Sequence, residues 1–244
     1  MTTPIAAYII KSKYESARNI QVGILKNQII NSNIVEAIFP KFQHVPFIEK
    51  MIKLSKIRFG KELLSNEIGV VMSHRRAWQK IVADNDINSK QHYLILESDS
   101  KIINLEILQQ QIDKIKLNYD LFFWGAWTGH ASIKKSTKIR INDKYSIGEP
   151  LINSIYGAYG YSLTPQTAKY LLSRTNKIKC QIDIFKEYIE PNRVRIGTIV
   201  PEVISFWGDT ESTIRDPESF YQINKRKLII KLFYCRNTIV SYFC

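Results

Sequence analysis

Tyr93-Leu94-Ile95-Leu96-Glu97-Ser98-Asp99-Ser100 carries an apolar strand straight into two carboxylates set two residues apart. A short apolar run of this kind suits a buried strand of a parallel or mixed sheet. Side chains alternate across a strand, so extended backbone continued through Asp99 puts Glu97 and Asp99 on one face and Ser98 on the other. Two like charges held that close need a cation or a proton. Hard oxygen donors in a pair suit Mg²⁺ or Mn²⁺, which bind through one or two carboxylates together with the phosphates of a substrate. The same eight residues also allow a plainer reading: a buried strand meets a polar loop, and Ser98, Asp99 or Ser100 caps the helix that follows.

Working outward, residues 5–10 read as a first strand, and the charged segment from Lys11 to Asn19 opens a helix through about Asn31. Residues 35–39 form a second strand stopped by Pro40. Residues 41–64 have no clear period. Ile68, Val71, Met72, Trp78, Ile81 and Val82 recur at helical spacing and predict a helix ending near Asp84. Leu105, Leu108, Ile112 and Ile115 mark the next helix, and Leu121-Phe122-Phe123-Trp124 a strand closed by Gly125. Residues 128–148, rich in Lys, Ser and Thr, read as a long surface excursion, and residues 156–161 as a further strand. Thr164 then caps a helix that has Pro165 in its first turn and runs through Leu172. The alternation is that of an α/β, Rossmann-like sheet, whose ligands bind beyond the carboxyl ends of the strands, where Glu97 and Asp99 fall.

Length permits one large domain plus a tail, and no run is long and apolar enough to read as a membrane span. The opening residues lack the basic and apolar regions of a secretory signal, and three widely spaced cysteines suggest no disulfide or metal framework. Both point to a reducing, cytoplasmic setting. The net charge of +13 implies an anionic partner. No acid follows Glu218, whereas Lys225, Arg226, Lys227, Lys231 and Arg236 alternate with Leu228, Ile229, Ile230, Leu232, Phe233 and Tyr234. Such a basic amphipathic segment suits the surface of an anionic membrane, and it equally suits a terminal helix docked on its own domain. Nucleic acid is not favoured, because no helix-turn-helix, zinc or RNA-recognition signature accompanies the charge.

One more cluster precedes the strand. In Glu67-Ile68-Gly69-Val70-Val71-Met72-Ser73-His74-Arg75-Arg76-Ala77-Trp78, His74 and Trp78 share a helical face. They read either as a polar element meeting phosphate or as a hydrogen-bonded core histidine beside a core aromatic.

Glu67-Ile68-Gly69, Ser73-His74 and Trp78, then Leu94-Ile95-Leu96-Glu97-x-Asp99, then Gly157-x-x-x-Tyr161 with Ala168 and Leu171-Leu172, together resemble glycosyltransferase family 25. That family contains bacterial lipopolysaccharide and lipooligosaccharide glycosyltransferases and related collagen galactosyltransferases. The likeness runs from the first strand, with Arg18 at the position of a family arginine, through Gln181-Ile182-Asp183 and Pro201-Glu202-Val203 to Glu211-Ser212-Thr213-Ile214. It implies a GT-A-like domain over residues 1–215 with a mixed central sheet, followed by a basic amphipathic segment over residues 216–244. It also implies inverting transfer of a hexose, most commonly galactose from UDP-galactose, to a lipid-linked or free oligosaccharide at the inner face of the cytoplasmic membrane, with Mn²⁺ or Mg²⁺ as cofactor.

The family's usual Glu-Asp-Asp is Glu97-Ser98-Asp99 here, so the middle acid is a hydroxyl. The alternative reading follows from that serine: a catalytically impaired GT-A-like protein that holds an anionic glycan or nucleic acid. On the enzyme reading, Glu97 and Asp99 bind the metal and donor diphosphate. Asp183, at a position matching a family aspartate, is the candidate base, with a helix N-cap as its plainer role. Arg18, just after the first strand, is a candidate nucleotide contact, and His74 a candidate contact to the diphosphate or the acceptor. Trp207 and Glu211, in Trp207-Gly208-Asp209-Thr210-Glu211-Ser212, are candidates for the acceptor side, where a plain surface turn is the alternative.

Overall fold

The apolar run forms β3 (Tyr93–Glu97), and its neighbours place it inside an eight-stranded mixed sheet. A computed structural model describes residues 4–60, 62–126, 129–190 and 192–207. Glu211 and the basic segment 216–244 lie outside the described residues. β1 (Ala6–Lys11) runs parallel to β2 (Ser32–Glu36) on one side and to β3 on the other. On the far side of β3 lies β8 (Gly160–Leu163), antiparallel both to β3 and to β5 (Leu121–Gly125). β9 (Ile196–Val200) returns parallel to β5, and β7 (Ser146–Gly148) and β6 (Ile139–Arg140) complete the order β2-β1-β3-β8-β5-β9-β7-β6. A separate ribbon pairs β4 (Ser100–Ile102) with β10 (Ile204–Phe206).

Among the described residues, two helices cover each face. α3 (Ser65–Asp84) and α5 (Pro165–Arg174) pack on one side, where Val71, Trp78, Ile81, Ala168 and Leu171 meet Tyr93, Ile95, Phe123 and Tyr161. α1 (Asn19–Gln28) and α4 (Leu105–Ile115) pack on the other, where Val22, Leu25, Leu108 and Ile112 meet Leu94, Leu96, Phe122 and Trp124. The alternation along β3 therefore sends Tyr93, Ile95 and Glu97 toward α3, and Leu94 and Leu96 toward α1 and α4. Each buried Leu or Ile of these two layers contributes about 1.5–3 kcal/mol of burial.

The structure departs from the sequence reading at several points. The strand expected at 156–161 begins only at Gly160, because Gly157 turns the chain with φ 99. It enters the sheet reversed, which gives the mixed sheet that the family resemblance implies. β2 stops at Glu36: the Ala37 amide still reaches the Lys11 carbonyl at 2.9 Å, but the Ile38 N–H turns away and donates to Ser73 Oγ at 2.8 Å. The aperiodic stretch 41–64 contains α2 (Ile48–Phe59), whose only buried residue is Ser55, so little core-facing pattern exists to read. The surface excursion contributes β6 and β7 to the sheet edge. The Thr164 cap forms as expected, its side chain accepting from the Thr167 amide at 3.3 Å.

Candidate active site

Strand geometry does not persist through Asp99. β3 ends at Glu97, and Ser98 and Asp99 form a turn into β4. The single-face expectation for the two acids is thus replaced by a strand-end carboxylate beside a turn carboxylate. They still share a site. The ionised form of Glu97 is disfavoured by burial first, then by the charges of Asp99 and Glu15, with Arg18 opposing; its affinity for a proton is raised. Asp99 is raised as well by burial, and again Arg18 opposes. Both acid side chains keep 28% of their surface open, so solvent tempers these shifts.

Arg18 reaches this corner from the short 3₁₀ turn Ser16–Arg18 after β1. β1 and β3 run side by side with Ile10 opposite Glu97, so whatever follows β1 is delivered to the same sheet edge. The Arg18 side chain is only 8% exposed, and its Nη2 stands 3.6 Å from Asp99 Oδ2.

His74 reaches the corner from the opposite layer. It projects from α3 toward the Tyr93-Ile95-Glu97 row, fully buried, with Nε2 3.1 Å from Glu97 Oε1. Its Nδ1 lies 2.8 Å from Tyr161 Oη, and that oxygen accepts from Trp78 Nε1 at 2.9 Å. Burial lowers the His74 pKa to about 4, against a raising effect from the Asp183 charge, and the ring is neutral at physiological pH. α3 is fixed in register by Gly69, where an added Cβ would lie 2.5 Å from Pro40 Cδ and 2.7 Å from the Ile38 carbonyl. Ser73, between Gly69 and His74, bonds the Gly69 carbonyl and the Ile38 amide.

Asp183 lies in the turn before the 3₁₀ helix Phe185–Glu187, whose cap is Ile184, so the N-cap role is not the one it fills. Its backbone carbonyl accepts from the Gly157 amide at 3.1 Å, and its charge is felt at His74. Trp207 also joins the corner: its amide donates to the Asp99 carbonyl at 2.8 Å, and Lys101 Nζ sits 4.5 Å from its ring centroid. Arg18, His74, Glu97, Asp99 and Trp207 therefore meet beyond the carboxyl ends of β1 and β3, with Asp183 close enough for its charge to act there. Sequence reading gave the Tyr161 hydroxyl, which links Trp78 to His74, no role of its own; its one signal was its place in the Gly157-x-x-x-Tyr161 motif of the resemblance.

The donor set suits a hard divalent cation in part. Among the described residues no three His, Cys, Asp or Glu side chains gather as ligands; Glu97 and Asp99 are the two oxygen donors a hard divalent cation could use at this corner.

No curated protein matches the chain. Residues 6–186 match the family model for glycosyltransferase family 25 (LPS biosynthesis protein), a span that begins with β1 and takes in the acid pair, α3 and Asp183. A basic, α/β chain whose acids gather at the carboxyl end of a sheet has the architecture such an enzyme requires, and the protein belongs to glycosyltransferase family 25.

Proposed function

We propose that the protein transfers a hexose with inversion from a UDP-sugar, galactose being the favoured sugar, to a lipooligosaccharide, lipopolysaccharide or related glycan acceptor, using a GT-A-like domain. One observation carries the reading: the proton-hungry Glu97/Asp99 pair, with buried Arg18 beside it, sits at the carboxyl end of the central strands within the family segment.

Departure of a nucleoside diphosphate develops negative charge, and stabilising that charge is the main electrostatic task. Glu97 and Asp99 would hold Mn²⁺ or Mg²⁺, which supplies Lewis-acid stabilisation of the leaving diphosphate when bound. Arg18 adds a fixed positive charge at the same corner. His74, neutral, orients Glu97 rather than carrying charge. Asp183 serves as the base that accepts the acceptor hydroxyl proton, and Trp207 offers an aromatic platform on the acceptor side.

Work at a membrane surface is supported by α2. Phe47 and Ile57 are 74% and 78% exposed, among Lys50, Lys53, Lys56 and Arg58, a composition suited to an anionic interface. Among the described residues no helix is long and apolar enough to cross a membrane, so attachment would be peripheral.

A thermal-shift series with UDP, Mn²⁺ and both, followed by hydrolysis of a UDP-sugar panel, tests the proposal. Stabilisation by UDP with Mn²⁺ that is lost in Asp99→Ala, with turnover of one UDP-hexose, is expected. Indifference to both ligands would favour the catalytically impaired reading that Ser98 suggests.

A further inference from the structure

β8 carries two copies of one hydrogen-bonding device, one on each face. On the α4 side, Trp124 Nε1 donates to Ser162 Oγ at 2.9 Å, and Ser162 Oγ lies 2.9 Å from His92 Nδ1. The other nitrogen, His92 Nε2, stands 3.0 Å from the Tyr119 carbonyl. A carbonyl only accepts, so His92 carries its proton on Nε2, and its Nδ1 accepts from the serine hydroxyl. On the α3 side the order repeats as Trp78, Tyr161, His74, but the chain ends on the Glu97 carboxyl instead of a backbone carbonyl.

The proton positions on the α3 side follow from donor counting. An indole N–H can only donate, so Tyr161 Oη accepts from Trp78. Tyr161 is fully buried, and among the described residues its hydroxyl has no hydrogen-bond partner beyond Trp78 and His74. Its own hydrogen must therefore go to His74 Nδ1, since a buried unpaired O–H costs about 1–3 kcal/mol. An Nδ1–H tautomer, or an imidazolium, would leave that hydrogen stranded. The imidazole proton accordingly resides on Nε2 and is donated to Glu97 Oε1.

We propose that Trp78 and Tyr161 are positioning residues for the donor site: they lock His74 as its Nε2–H tautomer, and His74 in turn holds Glu97 in place as a hydrogen-bond acceptor. The inference rests on the proposed role of Glu97 as a ligand for the cation and donor diphosphate. Residues that orient a metal ligand in this way typically change metal affinity about 10–100-fold when removed. The Ser162 copy ends on backbone and serves the fold alone, which makes it an internal control.

Two measurements on the full chain test this. In ¹⁵N-histidine-labelled wild type, both buried histidines should give the single Nε2–H pattern; because the Tyr119 carbonyl fixes His92, any buried Nδ1–H signal belongs to His74 and would overturn the assignment. This readout needs no variant that might fail to fold. Mn²⁺ binding in the presence of UDP, followed by the free-Mn²⁺ paramagnetic signal, should weaken about 10–100-fold in Tyr161→Phe, and be lost in Glu97→Ala, with native circular dichroism retained. Equal Mn²⁺ affinity in Tyr161→Phe and wild type, with Glu97→Ala impaired, would overturn the positioning role alone. Undiminished binding in Glu97→Ala would overturn the metal-site reading and the positioning role with it.

Discussion

Arg18 Nη2 lies 3.6 Å from Asp99 Oδ2, and the arginine is almost wholly buried while the aspartate is open to the site. An arginine buried to that degree needs its anionic partner, and the acid pair needs the arginine, because Arg18 lowers the proton affinity of both Glu97 and Asp99. Arg18→Met keeps the apolar stem and removes the charge. Both acids then hold their protons to higher pH, so the acid limb of the kcat/KM profile should move upward, with activity lost more at about pH 6 than at about pH 8. A loss equal at every pH would make Arg18 a donor contact only.

Asp183→Asn should lower kcat about 10²–10⁴-fold while leaving UDP binding unchanged, the separation expected when a general base is removed from an otherwise intact donor site. Single-turnover kinetics and calorimetric UDP titration give the two numbers. Unaltered kcat would remove Asp183 from the chemistry.

Gly69→Ala tests how tightly α3 is seated. In an ordinary helix interior the change would stabilise by about 1 kcal/mol. Here the new Cβ would meet Pro40 Cδ at 2.5 Å and the Ile38 carbonyl at 2.7 Å, and one of these neighbours is backbone. Overpacking of this kind costs about 1–3 kcal/mol, so the clash prevails. Urea unfolding should show a lower midpoint, and UDP affinity should fall with it, since the same helix carries His74.

These positions show what could be read in advance. The Tyr93–Leu96 strand, the His74/Trp78 face and the Thr164-Pro165 helix start each depend on local pattern, and each forms as the pattern requires. At Ser98 and Asp99 the local pattern allowed either continued strand or a polar loop; the turn was decided by pairing of β4 with β10, about a hundred residues onward, and the helix cap expected there falls instead to Asn104. The reversal of β8 was hidden for the same reason: direction in a sheet is a property of neighbours. The Arg18–Asp99 and Tyr161–His74 pairings likewise join residues far apart in sequence, and only the family resemblance brought Arg18 into view.

Phe47, which caps α2, and Ile57 within it are both strongly exposed, and the helix has a single buried residue, so replacing them should leave the fold intact. Phe47→Asp combined with Ile57→Asp should weaken binding to phosphatidylglycerol-rich vesicles about tenfold or more, with turnover of a short soluble acceptor unchanged. Binding to pure phosphatidylcholine should be weak in both proteins, because Lys50, Lys53, Lys56 and Arg58 have no anionic partner there. Equal sedimentation of the variant and wild type with anionic vesicles would remove α2 from the membrane reading.

Glu97→Gln separates stability from activity through the sign of one proton. Burial, then Asp99 and Glu15, raise the Glu97 carboxyl above its ordinary value of 4.5. Between 4.5 and the raised value the folded protein holds a proton that the unfolded chain has released. The unfolded state therefore binds fewer protons, and stability falls as pH rises through that window. Glutamine cannot ionise, yet its amide oxygen still accepts from His74 Nε2. Without donor or metal, the variant should melt higher than wild type at about pH 8 and converge with it near pH 4.5, while transferase activity is lost. Scanning calorimetry across that range decides the matter: a difference that is constant with pH, or that favours wild type at high pH, would mean that Glu97 is already compensated in the resting protein and that no uncompensated charge awaits the ligand.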